Sequence, residues 1–275
     1  EINLFVSTSL ATYLPRGTIA SIYYANRFMG IPLGVFAVAL STILLPHFSK
    51  IGSYAPRRLG FYLFEAAKLI AWVTIPLALL LAFFADKIFL TLFLSPKFTP
   101  QHAYQAAQLL IVFSTGLFVF SLNKILLNVY YALHKNWLVT LASTISALIN
   151  YAVSRALIGQ YGAIGLAAAF VIAGFFQAGI LAYLLKKRCG VALYVRRFVD
   201  SCMSILTQNV CLGILFSGLF FVVSGLIPII FNISLSWLLL EKIFFWFWVL
   251  PLIFLYLFSF ALTRRFFGIK IVFFK

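Results

Sequence analysis

Residues 21–46 read SIYYANRFMGIPLGVFAVALSTILLP, and the reading of this stretch decides how the rest of the chain is understood. After Arg27 come 18 uncharged, mostly apolar residues, 28–45. With the turn before them they suffice to cross a bilayer core, which takes about 20 residues of helix. The apolar segment begins near Ile19, so at about 1.5 Å per residue Arg27 lies roughly 12 Å inside the helix. A cation at mid-bilayer costs on the order of 3 kcal/mol or more, and such residues usually face a protein interior or a watery cavity.

Helical spacing places Tyr23 and Tyr24 one turn before Arg27, with Gly30, Gly34 and Ser41 following on the same side. Pro32 removes one backbone hydrogen bond inside the span and is expected to bend it. Two readings of Arg27 stay open on these residues. In one it snorkels to the nearer interface or pairs with a carbonyl, and Gly30-xxx-Gly34 is a packing motif. In the other it is the cationic wall of a cavity for an anionic substrate.

Composition points the same way along the whole chain. Of 275 residues 64% are hydrophobic and 9% charged, with a mean hydropathy of +1.09. A soluble domain of this length could not bury so much apolar surface, so the sequence reads as a polytopic membrane protein. The net charge of +16 does not indicate nucleic acid, because the cations form short clusters between apolar runs and read as topology signals facing anionic headgroups. Cys189, Cys202 and Cys211 have no CxxC spacing, and His47, His102 and His134 each stand alone near a helix end. No metal, cofactor or redox site is expected.

Eight apolar segments are expected, at about 2–14, 19–45, 62–84, 104–131, 137–158, 163–185, 203–227 and 243–263. The first is too short to span comfortably and stops at Pro15-Arg16-Gly17, so the chain reads as a piece of something longer. The last break, between residues 228 and 242, rests on Gly225, Pro228 and Asn232 alone. Alternating the loops puts fourteen cations on one side (Lys50, Arg57, Arg58, Lys68, Lys135, Lys186, Lys187, Arg188, Arg196, Arg197, Arg264, Arg265, Lys270 and Lys275) and five on the other. The richer side is expected in the cytoplasm, and the C-terminus with it. The connector at 47–68, HFSKIGSYAPRRLGFYLFEAAK, is expected to include a short interfacial stretch. The segment at 95–102, SPKFTPQH, is expected to be a structured external loop.

Other polar residues fall inside the spans. Lys124, in SLNKILLNVYYALHK, shares a helix face with Asn128 and Tyr131, and reads equally well as an interfacial anchor or a cavity residue. Ala142, Ser146 and Asn150 form one ladder at spacing four, and Gly165, Ala169, Ala173 and Gln177 form another; both read as close-packing faces. No catalytic carboxylate pair, Ser/His or His/Asp arrangement, glycine-rich phosphate loop or metal cluster is present in the sequence, which argues against an enzyme such as a membrane-embedded transferase.

The segment SIYYANRFMGIPLGVFAVALSTILLPHFSK resembles the MviN/MurJ family of bacterial flippases for lipid-linked peptidoglycan precursors. EINLFVSTSLATYLPRGTIA, NVYYALHK and the stretch ASTISALINYAVSRALIGQYGAIGLAAAFVIAGFFQAGILAYLLKKRCG are similar to other helices of that family. The resemblance is specific over about residues 1–190. It implies an all-α fold of two six-helix lobes around a central cavity, followed by two helices bordering a groove for the lipid tail. Residues 1–190 would be the second lobe and 191–275 the two additional helices with a cytoplasmic tail.

The resemblance further implies that Arg27 is a cavity arginine recognising the diphosphate or sugar acids of an undecaprenyl-linked precursor, lipid II. A planar guanidinium suits phosphate oxygens. Tyr24, Asn26, Lys124 and Asn128 are the further candidate substrate contacts, and Gly30, Pro32, Gly34 and Asn150 the candidate hinge or packing residues. Family members often carry acids where this chain has Asn26 and Gly30, so its cavity charge is altered. The implied partners are the lipid-linked anionic precursor, membrane lipid and a first transporter lobe, with no nucleic acid; the implied location is the bacterial cytoplasmic membrane. Competing readings are an exporter of drugs or of other polyprenyl-linked glycans, and a non-transporting scaffold in wall synthesis.

Overall fold

The structure is a computed structural model that describes residues 2–54, 56–96, 98–231 and 242–269. Apolar runs in lipid must satisfy every backbone N–H and C=O within the segment, and the α-helix does so. The elements are α1 (Ile2–Ala11), α2 (Thr18–Pro32), a π-helical turn (Leu33–Val38), α3 (Ala39–Tyr54), α4 (Pro56–Leu92), α5 (Pro100–Ala132), α6 (Asn136–Cys189), α7 (Val195–Phe231) and α8 (Lys242–Thr263). No strand occurs among the described residues, only a bridge between Ser95 and Phe98. The protein is an all-α membrane helix bundle.

Among the described residues six helices are long and apolar enough to cross a membrane, against the eight segments expected. Two observations account for the difference. α1 has only 10 residues. α6, with 54 residues, contains two of the expected segments, and it is not one rod. Gly162 has φ 54° and ψ −128°, a region that essentially only glycine occupies, and the chain doubles back there. Ser146 Oγ donates to Ala173 O at 3.0 Å and Gln177 Nε2 to Ser143 Oγ at 3.1 Å, so the two arms, 136–161 and 163–189, run antiparallel. The two small-residue ladders face each other across this hairpin. A Cβ on Gly165 would stand 2.8 Å from Leu157 O, so only glycine permits that approach.

α5 is the central helix. In its most apolar stretch 61% of residues are buried, against 17% in α7, which lies at the periphery. α4 and the α6 hairpin pack on α5 from two sides, and α2, the π-helical turn and α3 form one long rod against it. One apolar cluster joins α1, α2, α4, α5, the second arm of the α6 hairpin, α7 and α8 around Phe89, Leu109, Phe113 and Phe245. A second, around Phe48, Leu59, Ile125 and Tyr130, joins α3, α4, α5 and the hairpin at the cation-rich end. Polar ties between helices add specificity. Tyr130 OH donates to Leu181 O at 2.6 Å, Asn123 Nδ2 to Gly174 O at 3.1 Å, and Gln208 Nε2 to Phe260 O at 2.7 Å.

The described residues of the connector at 47–68 are helical. α3 runs on to Tyr54 and α4 starts at Pro56, because Phe48, Leu59 and Leu63 are buried in the second cluster and hold both helix ends in the bundle. Lys68 and Glu65 therefore lie inside α4, where they are buried and paired at 2.6 Å, with Lys68 Nζ 5.0 Å from the Phe64 ring centroid. Within the segment at 95–102, Ser95 N donates to Phe98 O at 3.2 Å and Phe98 N to Ser95 O at 3.0 Å, and α5 begins at Pro100. Within the last expected break, residues 232–241 lie outside the described residues.

Candidate functional site

The rod formed by α2, the π-helical turn and α3 presents two very different sides. Ile22, Ala25, Met29 and Ala37 are buried against the bundle. Arg27 is on the open side and is exposed, although it lies mid-way along α2. Its guanidinium has no hydrogen-bond or ion-pair partner among the described residues. Tyr23, one turn before it, is 47% exposed and shares that open side. Gly30 and Gly34 have no atom within 4 Å of where a Cβ would stand, so they make no close helix approach among the described residues and widen the open face instead. Pro32 is buried at the end of α2, and the π-helical turn Leu33–Val38 follows it directly. A proline and a π-turn in succession mark a place where a helix re-aims its side chains.

Tyr24 does not share this open side. Its ring is 4.9 Å from that of Phe93 and 5.4 Å from that of Phe98, in an aromatic cluster where α2 meets the end of α4. Asn26 is half-buried. Asn128 is half-buried and donates from Nδ2 to Ser41 O at 2.8 Å, tying α5 to α3. Lys124 is exposed, one turn before it. The Asn128–Ser41 bond sets Lys124 opposite Ala37, ten residues beyond Arg27, or about 15 Å along the rod. The two cations do not converge on one group. They are two stations along the bundle.

Beside Arg27 lies a wholly apolar groove of about 460 Å³ between α2, the π-helical turn, α4 and α8, walled by Phe28, Pro32, Leu81, Phe84, Trp246 and Leu250 among others. Ile31, one turn after Arg27, also lines it. An exposed cation thus stands next to the mouth of an apolar groove on the same rod.

Asn150 belongs to a separate, buried polar network that ties α1 to the hairpin. Its Nδ2 donates to Asn3 O at 2.8 Å and to Ser7 Oγ at 3.4 Å, and its Oδ1 accepts from Ser154 Oγ at 3.2 Å. Asn3 Nδ2 donates in turn to Ser146 Oγ at 3.1 Å. Asn3, Ser7 and Ser154 were not singled out in the sequence; the spacing of four between Asn3 and Ser7, matching that between Ser146 and Asn150, is the signal that would have found them. Among the described residues no group of three or more His, Cys, Asp or Glu side chains stands close enough to hold a metal ion.

The family model for lipid II flippase MurJ matches residues 1–257. The chain belongs to the MurJ family. The relatives include the probable lipid II flippase MurJ of Haemophilus influenzae, 32% identical over 194 residues that cover 68% of this chain and 37% of that protein. The probable lipid II flippase MurJ of Buchnera aphidicola subsp. Acyrthosiphon pisum is 30% identical over 223 residues, 78% of this chain and 42% of its own length. A solved structure, lipid II flippase MurJ in its inward closed conformation, superposes with a TM-score of 0.71 at 24% identity, covering 96% of this chain and 51% of that one. That likeness shows the fold. The chain spans little more than a third of the length of these curated relatives and about half of the solved structure. Family and helices together make it a multi-pass protein of the bacterial inner membrane.

Proposed function

We propose that this chain is the second lobe and the two following helices of a flippase that carries a lipid-linked peptidoglycan precursor, lipid II, from the inner to the outer leaflet. The observation that carries the reading is Arg27: exposed on the open side of a transmembrane rod, beside Tyr23, and one turn from an apolar groove. A guanidinium inside a membrane span costs free energy, which a diphosphate or sugar acid held by bidentate hydrogen bonds would offset. The adjacent groove offers an apolar seat for the polyprenyl tail, so head and tail would be held on one rod. Lys124, about 15 Å further along, would meet the head group at a later station rather than share it with Arg27.

In this reading residues 1–190 form the lobe and 191–275 the added helices, with the C-terminus on the cation-rich, cytoplasmic side. Arg27 faces a first lobe, and transport is rocking of the two lobes about the site between them. The test is Arg27→Ala in the complete transporter. The flippase reading expects normal membrane insertion with loss of precursor translocation and of cell growth that depends on it. Unimpaired growth and translocation would leave the non-transporting scaffold as the better reading, and loss of drug export with precursor translocation intact would favour the exporter.

A further inference from the structure

Two apolar crevices far from Arg27 meet at one glycine. The first, about 540 Å³, runs along the outer surface of the α6 hairpin between Leu141 and Ile145 on one arm and Phe175, Phe176 and Tyr183 on the other. The second, about 280 Å³, lies between α4, α5, the second arm and the start of α7, with Leu63, Leu126 and Tyr194 in its wall. Gly179 lines both, and no atom stands within 4 Å of where its Cβ would be.

Each crevice ends under a cation resting on a tyrosine. Over the first, Lys187 Nζ is 3.1 Å from Tyr183 OH and 5.5 Å from its ring centroid. Over the second, the Arg197 guanidinium is 5.5 Å from the Tyr194 ring centroid. Between them the stretch at 186–197, KKRCGVALYVRR, carries five cations and no carboxylate. Lys135 Nζ donates to Arg188 O at 2.8 Å and fastens this segment to the turn before the hairpin. The nearest acid in sequence, Asp200, is exposed one turn further on and lines a separate small cavity with Lys68.

We infer that the paired crevices bind a two-chain anionic phospholipid of the leaflet at the cation-rich end, with one acyl chain in each and the phosphate between Lys187 and Arg197. The depth fits. From Phe175 to Tyr183 is eight residues, about 12 Å of helix, against about 15 Å for half a hydrocarbon core of about 30 Å. A partner helix would need a seat through the full bilayer, and this one stops half-way along the hairpin arms. No residue of either crevice lies on α2 or α3, so the occupant is not the molecule met by Arg27.

The experiment measures lipid retained by the purified full-length protein in native mass spectrometry, with phosphatidylglycerol and phosphatidylcholine of identical chains as probes. The wild type is expected to retain phosphatidylglycerol at least about five-fold better, as two surface cations near an anionic headgroup imply. Lys187→Gln with Arg197→Gln, both exposed side chains, is expected to bring the two lipids level. Gly179→Leu, whose Cβ would meet no neighbour within 4 Å, is expected to lower retention of both lipids while leaving the delipidated melting temperature no lower. Arg27→Ala is expected to change neither. Equal retention of the two lipids by the wild type, or phosphatidylglycerol retention unchanged in both crevice variants, overturns the inference.

Discussion

Gly162→Ala isolates the backbone geometry that folds α6 on itself. The atom nearest to an added Cβ is Leu14 Cδ2 at 4.0 Å, ordinary contact distance, so the substitution creates no clash. What remains is φ 54° with ψ −128°, which an L side chain adopts only at a cost of about 1–3 kcal/mol. Gly159, three residues earlier, is helical and has no neighbour within 4 Å, so the same change there should stabilise by about 0.5–1 kcal/mol. The expected result is a pair of opposite shifts in the thermal unfolding of the full-length protein in detergent: down by several degrees for Gly162→Ala and up by a few for Gly159→Ala, at about 2–4 °C per kcal/mol. A Gly162→Ala protein that melts at or above the wild type would refute the argument, because a single methyl contact at 4.0 Å is too little to offset the backbone cost.

Three further changes test the packing and the groove. Asn150→Ala removes the donor to Asn3 O and Ser7 Oγ on α1 as well as the acceptor for Ser154, and interhelical hydrogen bonds in membranes average about 0.6 kcal/mol each. We expect about 1–2 kcal/mol of destabilisation in detergent unfolding, with the residues of α1 becoming the first to exchange amide hydrogen. Tyr130→Phe loses the 2.6 Å bond to Leu181 O at a fully buried site and should cost about 0.5–1.5 kcal/mol by the same measurement. Val35→Trp places a bulky ring in the 460 Å³ groove beside Arg27 and should lower precursor translocation several-fold while melting stays within a degree or two of wild type.

Much of the helical frame could be read from apolar runs alone, since lipid leaves the backbone few other forms. The break at 159–162 and the facing ladders around Ser146 and Ala173 follow from glycine and from small residues at spacing four. What was not legible depends on contacts distant in sequence. Asn3 meets Ser146 across 143 residues, and nothing local to either announces the other. Tyr23 and Tyr24 both neighbour Arg27 in helical projection, one on each side; the positions of Phe93 and Phe98 decide that Tyr24 is the one that turns away. Lys68 read as a surface cation because 47–68 is rich in charge and aromatics, whereas the burial of Phe48 and Leu59 carries both helices through that stretch and pairs Lys68 with Glu65 inside. The separation of Arg27 from Lys124 likewise came from the Asn128–Ser41 bond, which aligns two helices that no motif relates.

The most direct measurement is the affinity of the complete transporter for lipid II in nanodiscs, comparing the wild type with Arg27→Ala and Arg27→Lys. Losing a charge-assisted hydrogen bond to a phosphate costs about 1.5–3 kcal/mol, so Arg27→Ala should bind about ten- to a hundred-fold more weakly. Arg27→Lys should fall between, since an ammonium keeps the charge and loses the bidentate fork. Unchanged affinity in Arg27→Ala, with normal insertion and unfolding, would contradict the account: the exposed arginine would then serve something other than the anionic head of the precursor.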